Sequence, residues 1–577
     1  MKHHKFLNLT AAIAAALAAS AAAAATITVN SAGDAALDDG SCTLREAIVS
    51  ASTNLASGAS SGECIAGDAL PTVDTIAFAI PGSGVHTIQP ASYLHDITEA
   101  VVIDGYTQPG ASPNTLAAGD NAVLLIEIDG SLMGLADLLK LPSSGSTIRG
   151  LVINRISGSN IYIGTTTPGD DNRVEGNFLD TDPSGTVMLG GHYSVIRVTG
   201  STNTIGGTTP AARNVIAGSV GSGSGTLMIG GDSNVVQGNY IGVDATGTVP
   251  LQLDETVHGI DLGPQGPASN TFIGGDMPGA GNVIVASSAA IDLGGAATGT
   301  KIQGNSIDTD VTSTVALGGN VGIATNNGPA DTLIGGTTTG AGNVLSGLST
   351  AVYLVDGPTG FVIQGNRFGT DRSGTVPVPN RGSAILLHTP GLNGSIIGGT
   401  DPGAANTIAY NCGHGIAFSF GPNHWPILGN SVHSNNGLGI SFNGSPSQND
   451  PGDGDTGAND MQNYPVITNA VVSNGTATIS GTLNSTPNTT FRLEFFANAT
   501  CDSTGYGEGQ NFLGTTDVTT DVNGDASFGP LSFPAPDNAD ITSTATDPAG
   551  NTSEFSQCAG PHDHLFADDF DVVDTCG

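Results

Sequence analysis

Four aspartates near residue 450 have the residue type and spacing to bind a metal ion. Asp450, Asp453, Asp455 and Asp460 lie in the segment NDPGDGDTGAND, where glycines separate the carboxylates. Calcium takes six to eight oxygen ligands, which closely spaced carboxylates on a loop can supply, although this spacing is not that of an EF-hand. We therefore predict a calcium site here, with a solvated polar linker as the alternative.

A second group of residues combines histidines with aromatic rings. His414, His424 and His433 lie within 20 residues of one another, beside Tyr410 and the only tryptophan, Trp425. An aromatic surface with polar neighbours suits a sugar ring, so Trp425, Tyr410 and His424 are predicted glycan contacts. His414 and His433 are candidate general bases. The alternative is a set of turn and loop histidines at the end of the fold.

The segment Gly413-His414-Gly415 resembles a short motif of polygalacturonases. Such enzymes need clustered aspartates for acid–base work on the glycosidic bond. Here the only Gly-Asp-Asp, at residues 169–171, lies far upstream. The full set is therefore absent, and the sequence favours an ordinary turn.

The basic residues do not suggest a cleft for an acidic polymer. Ten of them are scattered between positions 140 and 381, whereas a pectate-type lyase needs a basic catalyst and calcium. The net charge of −37 also opposes a polyanionic substrate. The same field argues against nucleic acid and anionic lipid as partners.

Composition points to a repetitive β-protein. The chain has 577 residues with 85 glycines, only 5% aromatic residues and 38% hydrophobic residues. It turns often, has few large side chains, and is too apolar for a disordered polymer. A thin β core with many glycine turns fits these values.

The N-terminus and the cysteines predict export. MKHHK is followed by an apolar stretch and a run of small residues ending at Ala25, which is typical of a cleaved signal peptide. Six cysteines favour disulfides in an oxidising compartment. Sequence proximity suggests Cys42–Cys64 and Cys501–Cys558, while the pairing of Cys412 and Cys576 stays open.

An internal repeat dominates the middle of the chain. Gly-Asn followed by a short strand recurs at Gly176, Gly238, Gly304, Gly365 and Gly429, in steps of 62, 66, 61 and 64 residues. Each unit holds six short apolar runs bounded by turn residues, which suggests two coils of three strands. Parallel stacking of such coils makes a right-handed parallel β-helix. A β-propeller would prefer four antiparallel strands and aromatic markers.

The β-helix interpretation makes a prediction about individual side chains. Ile241, Ile307 and Phe368 follow the Gly-Asn markers and should point inward at equivalent positions. One aspartate per repeat, in segments such as TDPSGT, recurs at Asp182, Asp244, Asp310 and Asp371. Coils two strand spacings apart would hold these aspartates about 10 Å from one another, too far to share an ion, so we interpret them as turn-capping residues.

The N-terminal segment SCTLREAI predicts a short capping helix. Thr43 and Glu46 have capping-box spacing, and Leu44, Ala47, Ile48 and Ala51 lie on one helical face. The segment also resembles the Cys-Ser-Leu-Arg-Glu-Ala-Ile signature of a family of exported bacterial β-helix repeat proteins, with Thr43 in place of the usual Ser. Residues 73–76, 103–110 and 437–465 resemble further family segments. The resemblance covers roughly residues 26–465 and implies fold and export, without an agreed reaction.

The last part of the chain departs from the repeat. Strands such as FRLEFFA and a hairpin turn at DVNGD predict an immunoglobulin-like sandwich. The predicted boundaries are a signal peptide at 1–25, a cap with first coils at 26–135, repeats at 136–445, an acidic linker at 446–465, the sandwich at 466–560 and an acidic tail at 561–577.

Two functions from different classes fit these features. The first is a non-catalytic exported or cell-surface protein that contacts glycans or other surface partners, without nucleic acid and without a transmembrane span in the mature chain. It is favoured because no acid–base set is evident. The second is a polysaccharide-cleaving enzyme, a lyase or glycoside hydrolase, with its site on one β-helix face. Beyond possible calcium, no cofactor is expected.

Overall fold

Three long parallel sheets form the body of the molecule. The computed structural model describes residues 24–165, 167–191, 193–218, 225–251, 257–388, 394–419 and 424–560, together with Cys576. Sheet 1 has 13 strands, sheet 2 has 12 and sheet 3 has 11 within these ranges, and each strand pairs with its equivalent one coil away. The chain visits the three sheets in turn, which is the arrangement of a parallel β-helix. The predicted fold class is thereby confirmed for the repeat region.

The strands of sheet 1 are Thr26–Val29, Asp74–Phe78, Val101–Asp104, Thr147–Arg149, Arg173–Glu175, Thr204–Gly206, Val235–Gln237, Phe272–Gly274, Lys301–Gln303, Leu333–Gly335, Val362–Gln364, Ile396–Gly398 and Ile427–Leu428. Those of sheet 2 are His86–Ile88, Ile126–Asp129, Leu151–Asn154, Phe178–Leu179, Val215–Ile216, Tyr240–Ile241, Val283–Ile284, Ser306–Ile307, Val344–Leu345, Arg367–Phe368, Thr407–Ala409 and Ser431–His433. Those of sheet 3 are Leu139–Leu141, Ile161–Ile163, Ile196–Val198, Gly225–Ile229, His258–Leu262, Ala289–Leu293, Val321–Thr325, Thr350–Leu354, Ile385–Leu387, Ile416–Phe418 and Ile440–Ser441. A small parallel sheet joins Gly231–Asp232, Ala268–Ser269 and Ala297–Thr298.

The repeat corresponds to two coils, as predicted. Ile241, Ile307 and Phe368 lie in one inward column of sheet 2, with Ile284 and Leu345 from the intervening coils between them. All five side chains have no exposed surface. Short strands suffice because each apolar side chain packs on its equivalents about 4.8 Å above and below it.

A ladder of asparagines runs along the turn between sheets 1 and 2. Asn305 shows the pattern: its backbone N–H and its side-chain amide both donate to Oδ1 of Asn343, and the amide also donates to the carbonyl of Ile273. The preceding Gly304 has a φ of 67°, which favours glycine. The ladder joins Asn177, Asn214, Asn239, Asn282, Asn305, Asn343, Asn366, Asn406 and Asn430.

The helix Leu44–Thr53 covers the first coil. Thr43 and Glu46 form the predicted reciprocal capping box, and the apolar face of the helix is buried. Arg45 pairs with Asp34 and donates to the carbonyls of Ser92 and Tyr93. Arg45 thus fastens the cap to the chain around it. The 3-10 helices are Gly105–Thr107, Gly130–Leu132, Pro210–Ala212 and Ala458–Met461.

Two three-stranded antiparallel sheets follow the β-helix. One joins Val466–Ser473, Thr476–Asn484 and Asp525–Pro534, and the other joins Asn511–Thr519, Thr490–Asn498 and Asp540–Thr546. They pack around buried residues that include Ile479, Phe491, Phe495 and Ile541. The predicted sandwich is present in this coarse form, with six described strands where a constant-type immunoglobulin domain has seven.

The sandwich closes the end of the β-helix. Glu508 accepts from the backbone N–H and side-chain amide of Asn435, and Glu554 accepts from the backbone N–H groups of Phe442 and Ser447. Val432 and Gly509 exchange backbone hydrogen bonds of 2.8 Å. Donors that a next coil would have satisfied therefore bond to the sandwich, as buried polar groups require.

Three disulfides hold the ends of the molecule. Cys42–Cys64 and Cys501–Cys558 form as predicted, and Cys412 bonds to Cys576. Proximity in sequence could not have paired the last two, because they are 164 residues apart. The predicted signal peptide lies outside the described residues except for Ala24 and Ala25, and the acidic tail lies outside them except for Cys576.

Candidate functional site

The acidic loop brings together three of its four predicted ligands. Oxygen atoms of Asp450, Asp453 and Asp455 lie within 4.8 Å of one another. Asp460 lies apart from this group and accepts from the side-chain amide of Asn551 at 3.3 Å. The candidate calcium ligands therefore reduce to three carboxylates.

Asp453 is also tied into the protein by its own hydrogen bonds. Its Oδ1 accepts from the backbone N–H of Asn463 and its Oδ2 from the hydroxyl of Ser485. Burial, reinforced by the charges of Asp450 and Asp455, raises its pKa to about 6. A cation would relieve this repulsion, whereas the hydrogen bonds give Asp453 a structural role as well.

The predicted aromatic surface does not form. Trp425 is fully buried in the core at the end of the β-helix, so no sugar ring can stack on it in this structure. Tyr410 packs edge-on against His433 with ring centroids 5.7 Å apart. The backbone N–H of His424 donates to Asn551, as part of the contact with the sandwich. The tryptophan is a junction residue here, which corrects its predicted role in glycan binding.

The two histidine candidates are bound to neighbouring polypeptide. Nδ1 of His414 accepts from the backbone N–H of Leu438 at 2.9 Å, and burial lowers the pKa of His414. Burial also lowers the pKa of His433, whose Nδ1 lies 3.2 Å from the hydroxyl of Ser434. Both contacts are those of structural residues in the last coils.

A different cluster lies on the outer face of sheet 3. Asp261 and Asp292 occupy equivalent positions on adjacent strands, and His258 lies on the same strand as Asp261. One ligand atom of each residue lies within 4.8 Å of the others. Paired carboxylates at this distance can act as acid and nucleophile on a glycosidic bond. Together with the histidine they could also hold a divalent metal.

The surroundings of the two carboxyl groups differ. Burial and the nearby charge of Asp292 raise the pKa of Asp261 to about 7. Asp292 accepts from the side-chain amide of Asn326, and its Oδ2 lies 3.5 Å from Nδ1 of His258, an ion-pair distance rather than a hydrogen bond. Burial alone would lower the pKa of His258, but the charges of Asp292 and Asp261 raise it. Near neutral pH, Asp261 is therefore protonated in a large fraction of molecules. It lies beside Asp292, whose carboxylate has Asn326 and His258 as neighbours.

Rings flank this pair along the same outward column. The register of sheet 3 aligns Tyr162, Arg197, Met228, Asp261, Asp292, Ala324 and Tyr353. The Arg197 guanidinium lies over the Tyr162 ring at 4.2 Å and near the Tyr193 ring at 5.3 Å. Tyr353 lies two strands, about 10 Å, beyond Asp292. On the other side, Tyr162 lies three strands beyond Asp261, under the Arg197 guanidinium, so Tyr353 is the nearer ring of the column.

Sequence reasoning missed this cluster. Asp261 and Asp292 lie in the segments HGIDL and AAIDL, whose composition predicts strands and no site. The shared Ile-Asp-Leu pattern was a usable signal, because equal positions on successive coils of one sheet bring side chains together. The pattern predicts the pair only when the alignment of one coil on the next is known, and the sequence does not give that alignment.

Comparison with known proteins adds little to this description. No family model matches the sequence, and no curated protein matches it. Among solved structures, the chain is similar to the full-length tailspike protein 2 of Escherichia coli O157:H7 bacteriophage CAB120, with 10% sequence identity and a TM-score of 0.22. The match covers 84% of this chain and 63% of the tailspike chain, so this chain spans less than two thirds of that length. Separately, the described residues contain no helix that is long and apolar enough to span a membrane.

Proposed function

We propose that this protein is an exported glycan-cleaving enzyme whose site is the outer face of sheet 3. The observation that carries the proposal is the carboxylate pair Asp261 and Asp292, with their separation, unequal surroundings and flanking rings. The carboxylate pair favours a glycan-cleaving enzyme, whereas the sequence alone favours a non-catalytic surface protein.

The proposed chemistry divides the work between the two carboxyl groups. Asp261, held protonated near neutral pH, gives its proton to the leaving glycosidic oxygen. Asp292, held by Asn326 and beside His258, acts as the nucleophile and bonds to the anomeric carbon as the glycosidic C–O bond breaks. Water, deprotonated by Asp261, then hydrolyses this glycosyl ester, which frees Asp292 and returns the proton to Asp261. Oxygen atoms within 4.8 Å leave little room for a water molecule between the carboxylates, which favours retention of configuration.

The experiment is a screen of the purified protein against a panel of polysaccharides, with reducing ends as the readout. We expect Asp261→Asn and Asp292→Asn each to lower turnover by about 10²- to 10⁴-fold. Wild-type turnover should fall as the pH rises above about 7, because Asp261 then loses the proton that it donates. Asp171→Asn is the matched control, because Asp171 is exposed and has a φ of 56° that asparagine tolerates well.

Two outcomes would contradict the proposal. Turnover that survives both substitutions would place the chemistry elsewhere. Glycan binding without turnover across the panel would instead support the non-catalytic surface role.

Export is part of the proposal. Three disulfides are typical of proteins folded in an oxidising compartment. Thr26–Val29 is the first strand of sheet 1, so cleavage near Ala25 would leave that strand whole. N-terminal sequencing of the secreted protein should begin at or near Thr26.

Three further assignments from the sequence remain proposals. We propose that Asp450, Asp453 and Asp455 bind a calcium ion, and the proximity and mutual repulsion of their carboxylates support this proposal. We propose an immunoglobulin-like relationship for the terminal sandwich. We also propose membership of the exported β-helix repeat family, on the resemblance of the SCTLREAI segment.

A further inference from the structure

A groove of about 500 Å³ lies along the outer side of sheet 2, on a different face from the carboxylate pair. Its size is within the range of small-ligand sites. Loops from several coils form its walls. The groove is lined by residues that include Arg213, Tyr240, Asp276, Met277, Val311 and Arg372.

Stacking of coils brings distant arginines to this groove. Equivalent positions on five adjacent strands of sheet 2 form one row, which consists of Tyr240, Val283, Ser306, Val344 and Arg367. Arg372 reaches back over this row, and its Nη2 donates to the Ser306 hydroxyl at 2.8 Å.

Arg213 marks the other end of the groove. Its guanidinium lies 4.4 Å from the centre of the Tyr240 ring and donates to the carbonyls of Ala117 and Gly119. The two groove arginines are 159 positions apart in sequence yet lie on one surface.

The arginines of the protein fall into two groups according to whether a carboxylate lies beside them. Arg45, Arg149, Arg155, Arg173 and Arg492 each lie within 4.0 Å of a carboxylate. In the described ranges, no carboxylate lies within that distance of the other five arginines, which are Arg197, Arg213, Arg367, Arg372 and Arg381. This is unexpected for a chain with 51 acidic and 14 basic residues.

Repulsion between two of the cations adds to this imbalance. Burial and the positive charge of Arg367 lower the pKa of Arg372. The Nε atom of Arg367 is buried without a hydrogen-bond partner. Asp371 attracts Arg367, and Arg213 attracts Asp120, although neither pair belongs to the ion pairs within 4.0 Å that the described residues form. An anion held at Arg372 would relieve the repulsion with Arg367.

We propose that this groove binds an acidic sugar, with the anionic group at Arg372, whose guanidinium lines the groove and is anchored on Ser306. Asp276, which is exposed on the rim, can accept hydrogen bonds from sugar hydroxyls. Met277 and Val311 give apolar contact for the ring carbons. A short oligosaccharide suits the groove better than a long polyanion, which the overall net charge of −37 would repel.

The test is calorimetric titration of the full protein with a di-uronate at low salt. The neutral, carboxyl-reduced disaccharide and inorganic phosphate are titrated in parallel. We expect Arg372→Gln to weaken di-uronate binding by about tenfold or more, since a charge-assisted hydrogen bond contributes about 1.5–3 kcal/mol. Ser306→Ala, which removes the anchor of the guanidinium, should weaken it by less.

Arg173→Gln is the matched control, because Arg173 is a half-exposed, ion-paired arginine on sheet 1. Equal binding of the neutral disaccharide, or unchanged binding by both groove variants, would overturn the proposal. Phosphate binding as tight as that of the di-uronate would overturn the sugar assignment. Asp261→Asn should leave this binding unchanged, so the test is independent of the sheet 3 site.

Discussion

At the scale of single residues, the carboxyl groups differ by what surrounds them. Burial would raise the pKa of Asp182, but hydrogen bonds from Ser184 and Val187 outweigh it and lower that pKa. The same loop bonding occurs at Asp310 and Asp371, as expected for turn-capping aspartates. Asp261 and Asp453 instead have raised pKa values, because burial and neighbouring negative charges dominate. Carboxylates of the second kind are the better functional candidates.

Calcium should stabilise the protein through the Asp450, Asp453 and Asp455 cluster. Binding to the folded form alone raises stability by mass action, so millimolar Ca²⁺ should raise the melting temperature. Asp455→Asn should shrink this calcium-dependent shift with little other effect, because Asp455 is exposed. Asp453→Asn is less suitable alone, since both its oxygens accept structural hydrogen bonds.

Asp460→Asn is the control, because Asp460 lies outside the cluster. The quantity to compare is the calcium-dependent shift measured by differential scanning calorimetry. An equal shift in the wild type and in Asp455→Asn would assign the ion to another site and leave the loop as a linker.

At the scale of structural elements, the asparagine ladder explains why the repeat keeps Gly-Asn at each turn. The glycine takes a left-handed conformation, and the asparagine satisfies backbone groups that the turn buries. Apolar columns such as Ile284, Ile307 and Leu345 supply the burial, and the ladder fixes the register between coils. An apolar residue in the ladder would leave buried donors unpaired.

Asn305→Ala should destabilise the β-helix markedly. Oδ1 of Asn305 accepts from both the backbone N–H and the side-chain amide of Asn282, so the substitution leaves two buried donors unsatisfied. Each such group costs about 1–3 kcal/mol. Urea unfolding should show a clear drop in midpoint. Asn523→Ala, at an exposed turn, should change the midpoint little, and equal effects would mean that the ladder is not stabilising.

At the scale of the whole molecule, the sandwich covers the C-terminal end of the β-helix. Trp425 and Val432 share a hydrophobic cluster with Phe496 and Phe555 of the sandwich. Glu494 accepts from the backbone N–H of Gly429 in the turn between sheets 1 and 2. The open end of a β-helix exposes strand edges and apolar side chains, and this junction covers them.

Glu508 should make the junction less stable as the pH rises. Burial raises its pKa to about 8 from an ordinary value of 4.5, so the folded protein holds the proton more tightly than the unfolded chain. Stability from this group is complete below about pH 4.5 and is lost as the pH rises through 8. Glu508→Gln keeps an oxygen acceptor for Asn435 and removes the titration.

The measurement is the melting temperature of both proteins from pH 5 to pH 9. The difference should grow in favour of Glu508→Gln across this range. Parallel curves would show that Glu508 does not titrate in this window. Asp521→Asn is a suitable control because Asp521 is exposed at a hairpin turn.

The periodic features of this protein could be predicted from its amino-acid pattern alone. The Gly-Asn spacing gave the two-coil repeat and the inward column of Ile241, Ile307 and Phe368, because a β-helix repeats one local pattern with a fixed period. The capping box of Thr43 and Glu46 and two disulfides were also local enough to predict.

Contacts between residues on different coils could not be predicted without the folded structure. The sequence predicts Trp425 as a glycan contact, but in the folded protein the side chain is buried at the junction with the sandwich. Cys412 forms a disulfide with Cys576, which is 164 residues away in sequence. Asp261 and Asp292 become a pair because stacking places residues of equal register on one face, whereas Arg213 and Arg372 reach one groove from loops between the strands. The physical reason is that side-chain proximity in a solenoid depends on the length of every loop between coils, which the pattern of individual strands does not specify.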